Sequence, residues 1–311
     1  MQNIVVTGAN CFIAKPLIKL LSQKGYHIYA VVRDGSSYVC EDVNVQMIHL
    51  NFDEYYKLAD IISQPCFAFF NFTWDGTRGE SRNDELRQLK NYENSILAYN
   101  TAKILGCEYF VGAGSQAEYG VLNKKISETD QPEPNTAYGR YKLLFTNYLQ
   151  SQADVDSIKF LMPRFFSLYG YGDYKNTLVE MSINKMLNNE DCDYTQAIQN
   201  WNYLYIDDCV KALVYLMENG FEGVFNFGST ETYKLKDYVK MIKSVLGSKS
   251  KLNFGAIPYP STGMVSIDPD ISKLIQTGFN EFTPFCEGIR KIVELKIGNN
   301  DIEKDESNEK N

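Results

Sequence analysis

The chain has 311 residues, 44% of them hydrophobic and 23% charged, with a formal net charge of −8, a pI near 5.0 and a mean hydropathy of −0.31. That length supports one large domain or two moderate ones; the acidity leaves no basic surface for nucleic acid or anionic lipid, and no run of roughly 18 apolar residues is present to span a membrane. The opening MQNIVVTGAN lacks the pattern of a secretory signal, and the seven cysteines contain no CxxC pair, so a cytoplasmic protein with reduced thiols is expected.

Residues 4–6 predict a short buried strand, followed by helical spacing over 12–24 that stops at Gly25. Further strands are predicted over 28–32, 45–50, 67–72, 109–111 and 158–162, with helical patterns at 54–62, 84–105 and 138–149. Continuous apolar strands alternating with helices predict a doubly wound α/β fold, its parallel sheet covered on both faces. After about residue 170 the rhythm changes to helical patterns at 177–187, 207–217, 235–246 and 284–295, with one strand at 224–227. The expected organisation is a sheet domain over 1–170, completed by parts of 201–230, and a smaller, mostly helical part over 171–298. A disordered acidic tail is expected over 299–311.

Thr7-Gly8-Ala9-Asn10-Cys11-Phe12-Ile13-Ala14 turns from the first strand into the first helix. Such a turn aims helix N-terminal amides at a phosphate, and small residues let backbone and pyrophosphate approach. Thr7, Gly8, Asn10, Cys11, Phe12 and Ile13 are therefore candidate cofactor contacts, against the plain alternative of an ordinary strand–turn–helix. Cys11 and Ala14 stand in two of the three usual glycine slots. Alanine is accepted in the third, and Cys11 is expected to crowd the pyrophosphate. A carboxylate ending the second strand would bind ribose hydroxyls and favour NAD. Val32 takes that slot here and Arg33 follows, a guanidinium suited to a 2′-phosphate. NADP(H) is the expected cofactor and NAD(H) the alternative, unless Arg33 simply pairs with Asp34. With His27 and His49 as the only histidines, neither a histidine-based metal site nor a Ser-His-Asp triad is expected.

Three Tyr-x3-Lys pairs occur, Tyr99/Lys103, Tyr138/Lys142 and Tyr171/Lys175, where roughly 1.7 would arise by chance. The spacing places phenol and ammonium on one helix face, where the cation lowers the phenol pKa toward proton transfer near neutrality. Context selects Tyr138/Lys142: it opens a helix after Pro132 and Pro134, and Ser115 lies just past the fifth strand. The carboxyl ends of parallel strands are where ligands bind.

TGANCFIA, Asn71-Phe72-Thr73, Asn91, GSQAEYG, PNTAYGRYK, PRFFSLYGYGD, NYLYIDDCVKAL and GVFNFGS occur in that order between residue 3 and about 295. Together they resemble an extended short-chain dehydrogenase/reductase of the nucleotide-sugar epimerase/dehydratase family. The resemblance implies a Rossmann NAD(P)-binding domain followed by a substrate-binding part. It implies Ser115, Tyr138 and Lys142 as the catalytic set, with Tyr138 exchanging the proton, Lys142 holding the nicotinamide ribose and Ser115 bonding the reacting oxygen. Asn51, Phe72, Thr73 and Asn91 join the implied cofactor contacts, and a homodimer through the 84–105 and 138–149 helices is implied, with Leu144, Tyr148 and Leu149 either at that interface or in the core.

Within the family, dehydratases carry Thr-Asp-Glu where this chain has Ser115-Gln116-Ala117, so dehydration is not expected. Reduction of a 4-keto-6-deoxyhexose nucleotide is the expected reaction. Arg33, Ser167 and the segment Phe254-Gly-Ala-Ile-Pro-Tyr259, which resembles reductases of surface-polysaccharide pathways, lean that way. A nucleotide-sugar 4-epimerase is the alternative, and a non-catalytic NADP-binding regulator a more distant one. Glu118 is an acid one residue further on from Ala117, its plain alternative being a solvent or Tyr119 contact. The family often places arginines for the diphosphate where this chain has Trp201-Asn202 and near Pro260. Arg78, Arg82 and Lys175 are substitutes by location, Arg78 within the loop Trp74-Asp75-Gly76-Thr77-Arg78. Arg78, Gln116, Ser167, Lys175 and Trp201 are the candidate substrate contacts, with Trp201 either stacking on a base or filling the core.

Overall fold

The computed structural model describes residues 2–259 and 264–308. β1 (Asn3–Thr7) is buried from Ile4 onward because it lies mid-sheet, paired in parallel with β2 (His27–Val32) and β4 (Cys66–Asn71). Its side chains alternate: Ile4 and Val6 enter one core cluster and Val5 the other. α1 (Ala14–Gln23) lays Leu17, Ile18 and Leu21 on the first of these clusters. β3 (Val45–His49) is followed by a 3-10 helix over Phe52–Lys57 and a single turn, α2 (Leu58–Ile61). This is less helix than the spacing over 54–62 predicts, since Pro65 closely follows and stops propagation.

α3 (Glu85–Ile104), β5 (Tyr109–Val111), β6 (Gly114–Ser115), α4 (Ala137–Asp156) and β7 (Lys159–Phe165) complete the first part. α3 and α4 cover the second cluster with Ala98, Tyr99, Phe145 and Leu149. Phe69, Phe70 and Phe110 are fully buried, and each such side chain contributes roughly 1.5–3 kcal/mol, which is why these runs sit in the middle of the sheet.

Then follow β8 (Ser167–Tyr169), α5 (Leu178–Leu187), β9 (Cys192–Tyr194), β10 (Asn200–Tyr205), α6 (Ile206–Glu218) and β11 (Gly223–Phe227). β12 (Thr232–Lys234), α7 (Leu235–Leu246), β13 (Leu252–Phe254), α8 (Ser272–Gln276) and α9 (Phe285–Asn308) end the chain. The main sheet has the order β11-β7-β5-β4-β1-β2-β3, with β6 also on β7, and every pairing in it is parallel. β1 leads to β2 on one side and faces β4 on the other, so a crevice opens at the carboxyl ends of β1 and β4.

The later part has its own core, including Tyr169, Ile183, Tyr238, Phe285 and Ile289. It contains two small sheets, β12-β10-β8 and β13-β9, where the sequence predicts mainly helices. Strands β8, β9, β12 and β13 are three residues each, too short to leave a period-two signature. α9 continues through Asn308, so helical backbone runs into the stretch where a disordered tail is expected. Residues 309–311 lie outside the described residues, as does Pro260. No helix among the described residues is long and apolar enough to cross a membrane.

Candidate active site

The turn after β1 is folded by Cys11 N–H donating to the Gly8 carbonyl at 2.9 Å and Ala9 N–H donating to the Val31 carbonyl at 3.1 Å. Gly8 has φ +64°, and a Cβ there would meet the Phe72 and Thr73 backbone at 3.1 Å, so only glycine lets this turn lie against the end of β4. α1 has no side-chain cap and no acid in its first turn, which leaves the N-terminal amides and their positive end open to an anion. Cys11, Phe12 and Ile13 line a cavity of about 590 Å³ at this crevice, while Asn10 is exposed. Cys11 also packs against the core beneath α1, and burial pushes its thiol up. Thr7 points inward, donating to Asn71 Oδ1 at 2.8 Å.

Phe72 lines the same cavity. Three of the expected cofactor contacts make hydrogen bonds within the protein. The Thr73 hydroxyl bonds the Tyr55 hydroxyl at 2.7 Å. Asn91 clamps Asp75, accepting from its N–H at 2.9 Å and donating to its carbonyl at 2.8 Å. Asn51 N–H donates to Glu54 Oε2 at 3.1 Å, anchoring the 3-10 helix. Arg33 is exposed at the end of β2, and Asp34 accepts from Gly35 N–H at 3.0 Å rather than pairing with it.

Ser115, Tyr138 and Lys142 converge on this cavity. Thr136 caps α4 by accepting from Gly139 N–H at 3.1 Å. A Cβ at Gly139 would stand 2.2 Å from the Ala117 carbonyl oxygen, so glycine is what lets α4 press onto the turn that follows Ser115. Lys142 Nζ donates to the Ala113 carbonyl at 2.6 Å, lies 3.6 Å from the Trp74 ring centroid and 5.7 Å from that of Tyr138. Burial pulls the Lys142 ammonium down to about 7, against an upward pull from Glu118. Burial raises the Tyr138 phenol, while a hydrogen bond with Ser115 and the Arg82 charge lower it and Glu118 raises it. Ser115 Oγ accepts from Ala117 N–H at 3.2 Å, which leaves its proton free to donate.

Glu118 is neither a solvent contact nor a Tyr119 contact. It is fully buried, ion-paired with Arg164 Nε at 2.9 Å, and accepts from Ser115 N–H at 2.8 Å and Thr146 Oγ1 at 3.0 Å. The Ser-x-x-Glu spacing of Ser115 and Glu118 is a capping-box signal that makes this inward turn legible. Glu118 therefore holds Ser115 in place and is unavailable for acid–base work on a ligand.

The opposite wall includes Ser167, Leu178, Trp201 and Tyr203. Trp201 Nε1 is buried and has no hydrogen-bond partner. Asn202 instead ties the later loops together, donating to the Ser229 and Glu231 carbonyls at 2.9 and 3.0 Å. Arg78 stands at the rim, 57% exposed, 3.9 Å from Asp173 Oδ1 and over the Tyr174 ring at 4.6 Å. Lys175 is exposed and Gln116 half-buried, and neither lines the cavity. Trp74 opens the loop that directly follows β4 and lines the cavity, where Gln88 Oε1 fixes it by accepting from Nε1 at 2.7 Å.

A protein called CDP-abequose synthase from Salmonella muenchen is 25% identical over 306 residues, covering 95% of this chain and 98% of its own. The dTDP-4-dehydro-6-deoxyglucose reductase of Escherichia coli is 26% identical over 211 residues, 66% of each chain. Among solved structures, the UDP-glucose 4-epimerase of Thermotoga maritima superposes with a TM-score of 0.86 at 22% identity, covering 96% of this chain and 99% of its own. The family described as NAD dependent epimerase/dehydratase family matches residues 4–228, a span that holds the turn after β1, Ser115, Tyr138 and Lys142, and the chain belongs to that family.

Proposed function

We propose that the protein reduces the C4 ketone of a 4-keto-6-deoxyhexose nucleotide, a step in making sugars for surface polysaccharides. The observation that carries this reading is the convergence of Ser115, Tyr138 and Lys142 on one cavity with the only nearby acid of that segment, Glu118, locked to Arg164. That leaves proton exchange at one oxygen and no free carboxylate on the Ser115 segment for eliminating water. Similarity over nearly the whole chain to a CDP-abequose synthase, and over two thirds to a 4-keto-sugar reductase, supports reduction as the direction.

The residues present fit a nicotinamide dinucleotide: the turn at Gly8 and the uncapped start of α1 offer amide donors for its diphosphate. When bound, that cofactor supplies the hydride for the carbonyl carbon. Ser115 Oγ donates to the C4 oxygen and orients it. Tyr138 delivers its proton to that oxygen as the new alcohol forms, and the Lys142 charge favours the phenolate left behind. Arg33, exposed beside the Val32 slot, favours a cofactor with a 2′-phosphate. A homodimer through the α3–α4 face is the expected assembly. Leu86 and Leu144 are exposed on these helices, whereas Leu149 is fully buried in the core.

The test is to mix the protein with a 4-keto-6-deoxyhexose nucleotide and NADPH or NADH. Stoichiometric oxidation of the cofactor with formation of a 6-deoxy sugar supports the reading. Inversion at C4 without net cofactor use assigns a 4-epimerase, and cofactor binding without turnover of any sugar nucleotide assigns a regulator. Arg33→Ala is expected to raise the Kd for NADPH roughly tenfold or more and leave that for NADH within about twofold; equal effects would return Arg33 to a surface charge.

A further inference from the structure

Two cations stand beside the Tyr138 ring, and only one belongs to the Tyr-x3-Lys pair. The other is Arg82, on the 3-10 turn Gly79–Asn83. Its guanidinium carbon is 4.9 Å from the ring centroid, whereas Lys142 Nζ is 5.7 Å away. Arg82 Nε is buried and meets no acceptor. The acids that follow on the same stretch are taken, Asp84 by Arg87 and Glu85 by Arg140. The turn itself is held from both flanking helices: Ala137 N–H donates to Asn83 Oδ1 at 3.4 Å and Gln88 Nε2 donates to the Ser81 carbonyl at 2.9 Å. Arg82 is thus kept in register with the first turn of α4.

Lys142 is differently placed. Its ammonium is committed to the Ala113 carbonyl and the face of Trp74, and a buried ammonium sheds its proton where a guanidinium keeps its charge. The groups facing Tyr138 are Ser115 from β6, Glu118 from the turn after it, Trp74 from the loop after β4, Lys142 from α4 and Arg82. Glu118, the one anion among them, is neutralised by Arg164.

We propose that Arg82 is a positioning residue for Tyr138, its guanidinium laid on the ring face so that it fixes the phenol in the cavity and stabilises the charge its oxygen gains on losing the proton. The inference rests on Tyr138 being the proton donor of the reaction proposed above. Its test needs neither cofactor nor sugar. Protein labelled with a carbon isotope at tyrosine Cζ is titrated by NMR, the Tyr138 signal being identified by its loss in Tyr138→Phe. Arg82→Gln is expected to move that titration upward by about half to one pH unit, and Arg82→Lys by less than half as much. In turnover with a 4-keto-sugar nucleotide, Arg82→Gln is expected to lower kcat about three- to tenfold with KM for the sugar unchanged. An unmoved titration overturns the proposal, as does a rise in KM at constant kcat, which would make Arg82 a substrate contact. A moved titration in a protein that turns over no sugar keeps the Arg82 assignment and rejects the reductase reading alone.

Discussion

The wall that β6 and α4 contribute to the cavity carries Ser115, Tyr138 and Lys142, whereas the wall from β8, α5 and β10 carries Ser167, Leu178, Trp201 and Tyr203. The first is crowded with groups that gain or lose protons, and it rests on the buried Glu118–Arg164 pair. The second holds one acid, Asp173, already bonded by Tyr174 N–H at 2.7 Å and Thr177 Oγ1 at 2.9 Å, and burial raises its carboxyl. On the proposed function, the contrast separates chemistry from recognition. A diphosphate approaching the second wall finds neutral donors and aromatic faces, with Arg78 at the rim as the nearby cation.

Removing the proposed proton donor is the sharpest way to test that separation. Tyr138→Phe is expected to lower kcat by at least about 100-fold, since one positioned acid–base group supplies about 10²–10⁴, while cofactor affinity measured by fluorescence titration stays within about threefold of wild type. Turnover at the wild-type rate would take the chemistry away from this wall.

Lys142 breaks the comparison in a different way, because the same burial that prepares the site strains the fold. Its ordinary pKa of 10.5 falls to about 7 in the folded chain. Below pH 7 both states hold the proton, and the buried ammonium costs the fold its full penalty. Between 7 and 10.5 the unfolded chain holds one proton more, so this group makes stability rise with pH across that window. Lys142→Met is expected to abolish turnover yet stabilise the protein at pH 6 by on the order of 2 kcal/mol. The variant should also flatten the rise in stability above pH 7, read by denaturant unfolding at several pH values. A variant less stable at pH 6 would show that the Ala113 and Trp74 contacts outweigh the burial of the charge.

The two walls also differ in how far they can be read from the chain. The proton-handling wall obeys short-range rules. A strand end places Ser115, a helix repeat brings Tyr138 and Lys142 to one face, and Gly8 marks the turn that meets β4. What escaped there are contacts between segments distant in sequence: Trp74 over Lys142 and Arg82 over Tyr138. Asn91 and Thr73 likewise have partners, Asp75 and Tyr55, that only the fold brings to them. The recognition wall is assembled by the sheet β12-β10-β8, in which β8 and β12 are three residues long and no periodicity announces them. The sequence around Trp201 therefore does not separate a core residue from a ligand contact.

Trp201 gives the smallest expected effect and the most direct test of the recognition wall. Its ring packs near Tyr203, with centroids 6.3 Å apart, and lines the cavity, while its buried Nε1 has no acceptor. A buried N–H without a partner costs free energy, a cost that a ligand oxygen would relieve. Trp201→Phe keeps an aromatic face and removes that donor together with the pyrrole part of the indole. If a substrate oxygen completes the bond, the variant should raise KM for the sugar nucleotide about two- to tenfold, the worth of one neutral hydrogen bond. Its kcat should be unchanged. A fall in kcat at constant KM would place Trp201 with the chemistry and dissolve the distinction between the two walls.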